Sequence, residues 1–374
     1  MSSQQLALFI LACIAPSLLL SLVGTAVVRI WALRTEFVDR PNVARKVHTT
    51  PTPLGGGIGI WLGLVGTFAA GQLALYLVQV SPGLAEKLPS FALPHLGGIA
   101  QQSVKLWWLL GLASFLMVMG LVDDRRGLPW QIRLAMQFGV AAIAIWEVPS
   151  LRLTAFVSLS GVTMVLTLLW IVALINSFNM LDNMDGLSGG VAVISCAMLA
   201  VVLLVAPDAE NRGPQLFVAG FLLVLVGAIL GFLWHNRPPA KIFMGDAGAY
   251  LIGFCIAAAT LLATYTSYKS DTRHAVLAPL LVMAVPLYDM ATVILIRLRA
   301  GKSPFAADKN HFSHRLVDLG MSKVQAVLTV YLTTATCGLG PFCFTDRSHW
   351  GSHCAATGAV GVVADSDFRS GRAS

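Results

Sequence analysis

Residues 161–190 read GVTMVLTLLWIVALINSFNMLDNMDGLSGG, and their character changes abruptly part-way along. Up to Ile175 the stretch is apolar on every helical face, then four polar side chains arrive at three-residue spacing: Asn176, Asn179, Asp182 and Asp185. Residues three apart share one face of a helix, so the four form a line at one end of an apolar run. From Leu187 the chain turns apolar again as far as residue 206. A helix needs about 20 apolar residues to cross a bilayer, so the stretch predicts two spans joined by a short link at 180–186. A carboxylate at the centre of such a helix costs about 2.5 to 3.5 kcal/mol, so those that stay in or near it are usually functional. Capping accounts for one Asp or Asn at a helix end, but hardly for four.

The same pattern repeats outward. Ten apolar runs are present, at about 6–30, 54–80, 106–122, 132–147, 161–179, 187–206, 215–234, 247–264, 275–296 and 324–344. The chain of 374 residues is 56% hydrophobic and 11% charged, against about 25% charged in soluble domains. The runs do not alternate, which excludes a membrane β-barrel. The expected fold is therefore all-α, a polytopic transmembrane bundle of about ten spans over residues 1–344. With the N-terminus outside, inward loops and their flanks hold sixteen Lys and Arg and outward loops six, which sets the orientation. The net charge of +7 then belongs mostly to the cytoplasmic face, where it suits anionic lipid heads and nucleotides. Basic residues spread over short loops argue against nucleic acid. The run from Leu6 to Val28 is too long for a signal-peptide core and reads as a retained span. Cys13, Cys196, Cys255 and Cys337 lie within spans and show no metal spacing. Residues 345–374 form an atypical tail, expected to be disordered and frameshifted or otherwise altered.

The other motifs lie on the cytoplasmic side, with only Asp289 set deep in a run. Asp123-Asp124-Arg125-Arg126 follows one; the carboxylates could bind Mg²⁺, act as base, or simply end a helix in water. Phe243-Met-Gly-Asp246-Ala-Gly opens another, with Asp246 as metal ligand or N-cap and Phe243 as a stacking platform for a base. Pro286-Leu-Tyr-Asp289-Met sets a carboxylate about two turns inside a span, where it needs a partner or a polar cavity. Asp308-Lys-Asn-His311-Phe-Ser-His314-Arg315 suits phosphate better than Mg²⁺, since histidine is an uncommon Mg²⁺ ligand. Arg45-Lys46-Val-His48 before Pro51-Thr-Pro-Leu-Gly-Gly-Gly57 could hold a diphosphate or a lipid phosphate; it is no Walker motif, lacking the GK[ST] ending.

Taken in order, RKVH, PLGGG, DD, NSFNMLDNMDGL, FMGDAG, PLYDM and DKNHFSHRL resemble the bacterial polyprenyl-phosphate N-acetylhexosamine-1-phosphate transferase family over about residues 35–320. The undecaprenyl-phosphate GlcNAc-1-phosphate branch is the nearest, with the phospho-N-acetylmuramoyl-pentapeptide transferases as cousins. The resemblance implies transfer of a sugar 1-phosphate from a UDP-sugar to a membrane polyprenyl phosphate, with release of UMP. The product is the lipid-linked diphosphate sugar that starts cell-envelope polysaccharide synthesis. It implies Mg²⁺ (or Mn²⁺), a bacterial plasma-membrane location with a cytoplasm-facing site, and is compatible with a homodimer. It makes Asp246 the metal ligand and Asp123 or Asp124 the base or second ligand. Asn179, Asp182 and Asp185 would line the nucleotide pocket, with Phe243 near the uracil. His311 and His314 would meet phosphate or sugar.

The sequence departs from that pattern at Ser313, where the GlcNAc branch carries a second histidine beside His314. It departs again at Asn183, where glycine is common, and in the tail, which replaces an eleventh span. The pentapeptide alternative lacks its run of three histidines here. A transporter, from a different class, would place ionisable groups near the midplane, and only Asp289 lies deep.

Overall fold

The computed structural model describes residues 1–39, 51–81, 83, 96–153, 159–205, 214–263, 277–306 and 310–341. These residues are helical almost throughout, with α1 (Ser3–Arg34), α2 (Gly56–Val80), α3 (Leu96–Arg126), α4 (Trp130–Glu147), α5 (Ser160–Leu181) and α6 (Leu187–Val205). Then follow α7 (Leu216–Asn236), α8 (Gly245–Leu262), α9 (Ala278–Val282), α10 (Ala284–Arg299), α11 (Phe312–Asp318) and α12 (Lys323–Leu339). Among the described residues, strand is confined to an antiparallel pair, β1 (Val38–Asp39) and β2 (Thr52–Pro53), with Val38 opposite Pro53.

Among the described residues each of the ten apolar runs forms helix, and seven of the helices are long and apolar enough to cross a membrane: α1, α2, α3 and α5 to α8. The other runs fall short of that measure by length or polarity. Helix α4 carries Gln131, Arg133, Gln137 and Glu147, and α12 has only 17 residues. The run 275–296 is broken at Met283 into α9 and α10. Pro286 has no N–H to return to the Val282 carbonyl. The Ser195 hydroxyl of α6 donates to that carbonyl instead, at 3.3 Å.

Helix α8 is the axis of the bundle. Every residue from Ala247 to Thr260 is buried, and α2, α3 and α5 pack around it. Helix α1 lies at the rim, with Leu11, Leu19, Val23 and Val27 exposed. Its buried stripe is small, Ser17, Ser21, Gly24, Val28 and Ala32, and seats it closely on α2 and α7.

The glycine-rich start of α2 meets the start of α8 backbone to backbone. The Phe243 N–H donates to the Pro53 carbonyl at 2.8 Å, Gly56 N–H to Phe243 O at 2.9 Å, and Gly57 N–H to Met244 O at 3.1 Å. A Cβ on Gly57 would fall 2.3 Å from the Gly248 nitrogen, so only glycine permits this approach. Read from sequence, this turn could cradle phosphate; in the fold the Gly56 and Gly57 amides are committed to protein carbonyls.

Candidate active site

Three helix ends meet around Asp246, the second residue of α8. From α3, Asp124 Oδ1 accepts the Asp246 N–H at 2.9 Å, and Oδ2 accepts the Ala247 N–H at 3.4 Å. Asp124 thus caps α8 from outside, since Met244 at the N-cap makes no side-chain bond to the helix. Gly245 is required beneath it: its φ is +70°, and a Cβ there would lie 2.4 Å from Asp124 Oδ2. From the end of α5, Asn179 Nδ2 donates to Asp246 Oδ1.

Asp123 is met by three donors. Its Oδ1 accepts the Leu128 N–H at 2.7 Å, and its Oδ2 accepts Arg133 at 3.2 Å and the Tyr250 hydroxyl at 2.9 Å. Asp182, which ends α5, is the opposite case. Among the described residues no donor bonds its carboxylate. Loss of hydration, followed by the charges of Asp246 and Asp185, pushes its carboxyl up to about 7.

The rest of the link is gripped from several sides. Asp185 Oδ2 accepts the Ala240 N–H at 2.9 Å, and Gly186 N–H donates to Asn236 Oδ1 at 2.9 Å. Asn236 in turn donates to Ile242 O at 2.8 Å, and the Tyr331 hydroxyl of α12 donates to Gly186 O. The four-residue line of the sequence therefore divides. Asn179 reaches Asp246, Asp182 faces it, and Asp185 braces the loop after α7. Asn176 turns instead toward α4, where its amide donates to Gln137 Oε1, and to Val172 O at 2.8 Å. Phe243 contributes its backbone to the α2 junction, and its half-buried side chain stands just before α8.

The histidine motif is anchored on α10. Asp289, 1% exposed, accepts His311 Nδ1 on Oδ2 at 2.8 Å and the Phe312 N–H on Oδ1 at 2.6 Å. The deep carboxylate thus finds its partner, and the His311 ring is held with Nε2 uncommitted by this pairing. The His314 ring lies 6.3 Å from that of His311. Arg315 packs over Phe312, its guanidinium carbon 5.9 Å from the ring, and donates to Thr292 Oγ1 at 3.4 Å. Arg45, Lys46, His48, Asp308, Lys309 and the tail at 345–374 lie outside the described residues.

Among the described residues, no group of three or more His, Cys, Asp or Glu is arranged to hold a metal ion. What gathers is like charge: Asp246 interacts with Asp123, Asp124 and Asp182, and among the described residues the one ion pair made by these four is Arg133 with Asp123.

The family model described as glycosyl transferase family 4 matches residues 106–264, the segment from α3 to just past α8 that supplies Asp123, Asp124, Asn179, Asp182 and Asp246. A Mycobacterium tuberculosis protein named "Decaprenyl-phosphate N-acetylglucosaminephosphotransferase" is 34% identical over 85% of this chain and 78% of its own length. A Bacillus subtilis protein named "Probable undecaprenyl-phosphate N-acetylglucosaminyl 1-phosphate transferase" is 33% identical over 84% and 79%. The chain belongs to the polyprenyl-phosphate N-acetylhexosamine-1-phosphate transferase family. A more distant relative is the "Undecaprenyl-phosphate alpha-N-acetylglucosaminyl 1-phosphate transferase" of Escherichia coli K12, 31% identical over 81% of this chain and 75% of its own.

For a polyprenyl-phosphate sugar-1-phosphate transferase, the fold adds residues that motif reading passes over. Tyr250 lies one turn beyond Asp246 and fixes Asp123; Asn236 and Tyr331 hold the link. Gln137 and Asn236 are polar residues buried within or at the edge of apolar runs, which is the signal that could have found them.

Proposed function

We propose that this protein transfers N-acetylglucosamine 1-phosphate from UDP-GlcNAc to undecaprenyl phosphate and releases UMP. An oxygen of the lipid phosphate attacks the sugar-bearing phosphorus of the diphosphate, and the bond from that phosphorus to the bridging oxygen breaks. The bridging oxygen leaves with UMP. The observation that carries the reading is the convergence of Asp246, Asn179, Asp124 and Asp182 at one end of the apolar bundle, in a chain so similar to named transferases of this kind.

Rate in phosphoryl transfer comes mostly from positioning and from neutralising charge. The crowded carboxylates fit a hard divalent cation. Mg²⁺ binds through one or two carboxylates plus waters and substrate phosphates, so it needs no ready-made set of three ligands. Asp246 and Asp182 would hold Mg²⁺ (or Mn²⁺), and the ion would supply positive charge against the diphosphate. Asp124 spends its oxygens on the Asp246 and Ala247 amides and so orients Asp246, while Asp123 ties α3 to Arg133 and Tyr250. His311, its Nδ1 fixed by Asp289, offers Nε2 to a phosphate or sugar oxygen. Asp185 and Phe243 border the nucleotide. The site faces the cytoplasm of a bacterial plasma membrane, with the N-terminus outside and ten spans. The support is the bias of basic residues and the convergence of the motif-bearing helix ends on one face.

The test uses purified protein in detergent with undecaprenyl phosphate, Mg²⁺ and a panel of UDP-sugars, reading UMP. UMP release that needs UDP-GlcNAc, lipid and divalent cation is expected. Release with no UDP-sugar preference, or none with any donor, sinks the reading.

A further inference from the structure

Helix α11 carries His314, with His311 at its N-cap, yet has only seven residues, too few to keep an orientation of its own. Asp289 roots it at the N-terminal end through His311 Nδ1 and the Phe312 N–H. Arg315, bonded to Thr292 Oγ1 at 3.4 Å, and the buried Leu316 hold the helix on its α10 and core sides. The contact that ties it to the carboxylate link comes from Ser313. Ser313, 2% exposed, donates from Oγ to Asn183 Oδ1 at 2.6 Å. Asn183 Nδ2 donates to Met180 O at 3.1 Å, which fixes the amide so that its oxygen faces Ser313. Asn183 directly follows Asp182, and Ser313 sits between the two histidines.

We propose that the Asn183–Ser313 hydrogen bond is a positioning clasp: it sets the carboxylate link at 182–186 against the histidine helix, so that both address one diphosphate. The proposal rests on the transferase reading above. Neither residue touches the reacting atoms; each acts by placing its neighbours, Asp182 on one side and His311 and His314 on the other. A clasp of this kind affects the transition state more than ground-state binding, because the two halves must act together only when charge shifts along the diphosphate.

UMP release should be measured for the wild type, Asn183→Ala, Ser313→Ala, the double variant and Ser313→Thr, with melting curves in the same detergent. Each single variant is expected to lower kcat about ten-fold, as loss of one such bond would, with KM for UDP-GlcNAc changed less than about two-fold. The double variant should be no worse than either single, and Ser313→Thr, which keeps the hydroxyl, should recover most of the rate. Losses that multiply in the double variant would overturn the clasp. So would single variants as active as the wild type, or a Ser313→Thr as poor as Ser313→Ala. An inactive wild type would instead sink the transferase reading itself.

Discussion

Asp123 and Asp182 both interact with Asp246, yet the fold treats them in opposite ways. At the junction of α3 and α8, Asp123 is answered by a guanidinium, a phenol and a backbone amide. On the link after α5, Asp182 meets other carboxylates and, among the described residues, no donor. A buried charge with a full set of partners is structure already complete. A carboxylate held among like charges is a cost to the fold that a substrate or cation must relieve. The difference separates the residues that build the site from those that use it, although the sequence presents all of them as aspartates beside apolar runs.

The comparison breaks first at Asp246, where the two regions meet. Asp246→Asn keeps the volume, leaves the backbone N–H that Asp124 caps and removes one of the crowded charges, so the melting temperature should not fall below that of the wild type. UMP release should fall on the order of 10³-fold. A variant with more than a tenth of wild-type activity would remove Asp246 from the chemistry. Asp182→Asn comes next, with a loss on the order of 10²-fold in UMP release and a stability signature of its own. Its carboxyl rises from the usual 3.8 to about 7 in the fold, so between those values the native state keeps a proton that the unfolded chain has lost. Stability therefore falls as pH rises through that window, and the loss is complete above it. Asp182→Asn should melt higher than the wild type at pH 8 and close to it at pH 4. Mg²⁺ should raise the wild-type melting temperature at pH 8 and leave that of Asp182→Asn nearly unmoved. Equal midpoints at pH 8 would show that Asp182 carries no such cost.

How much of this could be read beforehand follows the same division. Helices could be read from apolar runs because a bilayer demands them, and among the described residues each of the ten runs forms helix. Span length was less legible, because Pro286 breaks one run by removing an N–H that no hydropathy count registers. Asn179 and Asp182 could be placed near each other by helical spacing, but not Asn176, whose outlet is Gln137 on a helix about 40 residues earlier. Asp289 called for a partner. That the partner is His311, 22 residues on, is a tertiary fact that spacing cannot supply. The same holds for the glycines before α2, where an open turn and a backbone junction share one sequence.

The pairing of Asp289 with His311 sharpens the comparison within the second half of the site. Asp289→Asn keeps the shape but weakens the hold on Nδ1, and kcat should fall about ten-fold or more with little change in KM. If the pair were only structural, the melting temperature would drop while kcat stayed at the wild-type value.

Tyr250→Phe is the mildest change and the most direct check on Asp123. It removes one donor from a carboxylate that keeps Arg133 and the Leu128 N–H. Losing one neutral partner from a group that remains paired should cost about 1 kcal/mol of stability. The ring stays to fill its fully buried place, so no cavity opens. UMP release should then remain within about two-fold of wild type, because Asp246 is still held by Asn179 and by Asp124. A hundred-fold loss of rate with an unchanged melting temperature would mean that Asp123 acts on substrate through this phenol. The contrast between a carboxylate that supports the site and one that serves the reaction would then fail at its first member.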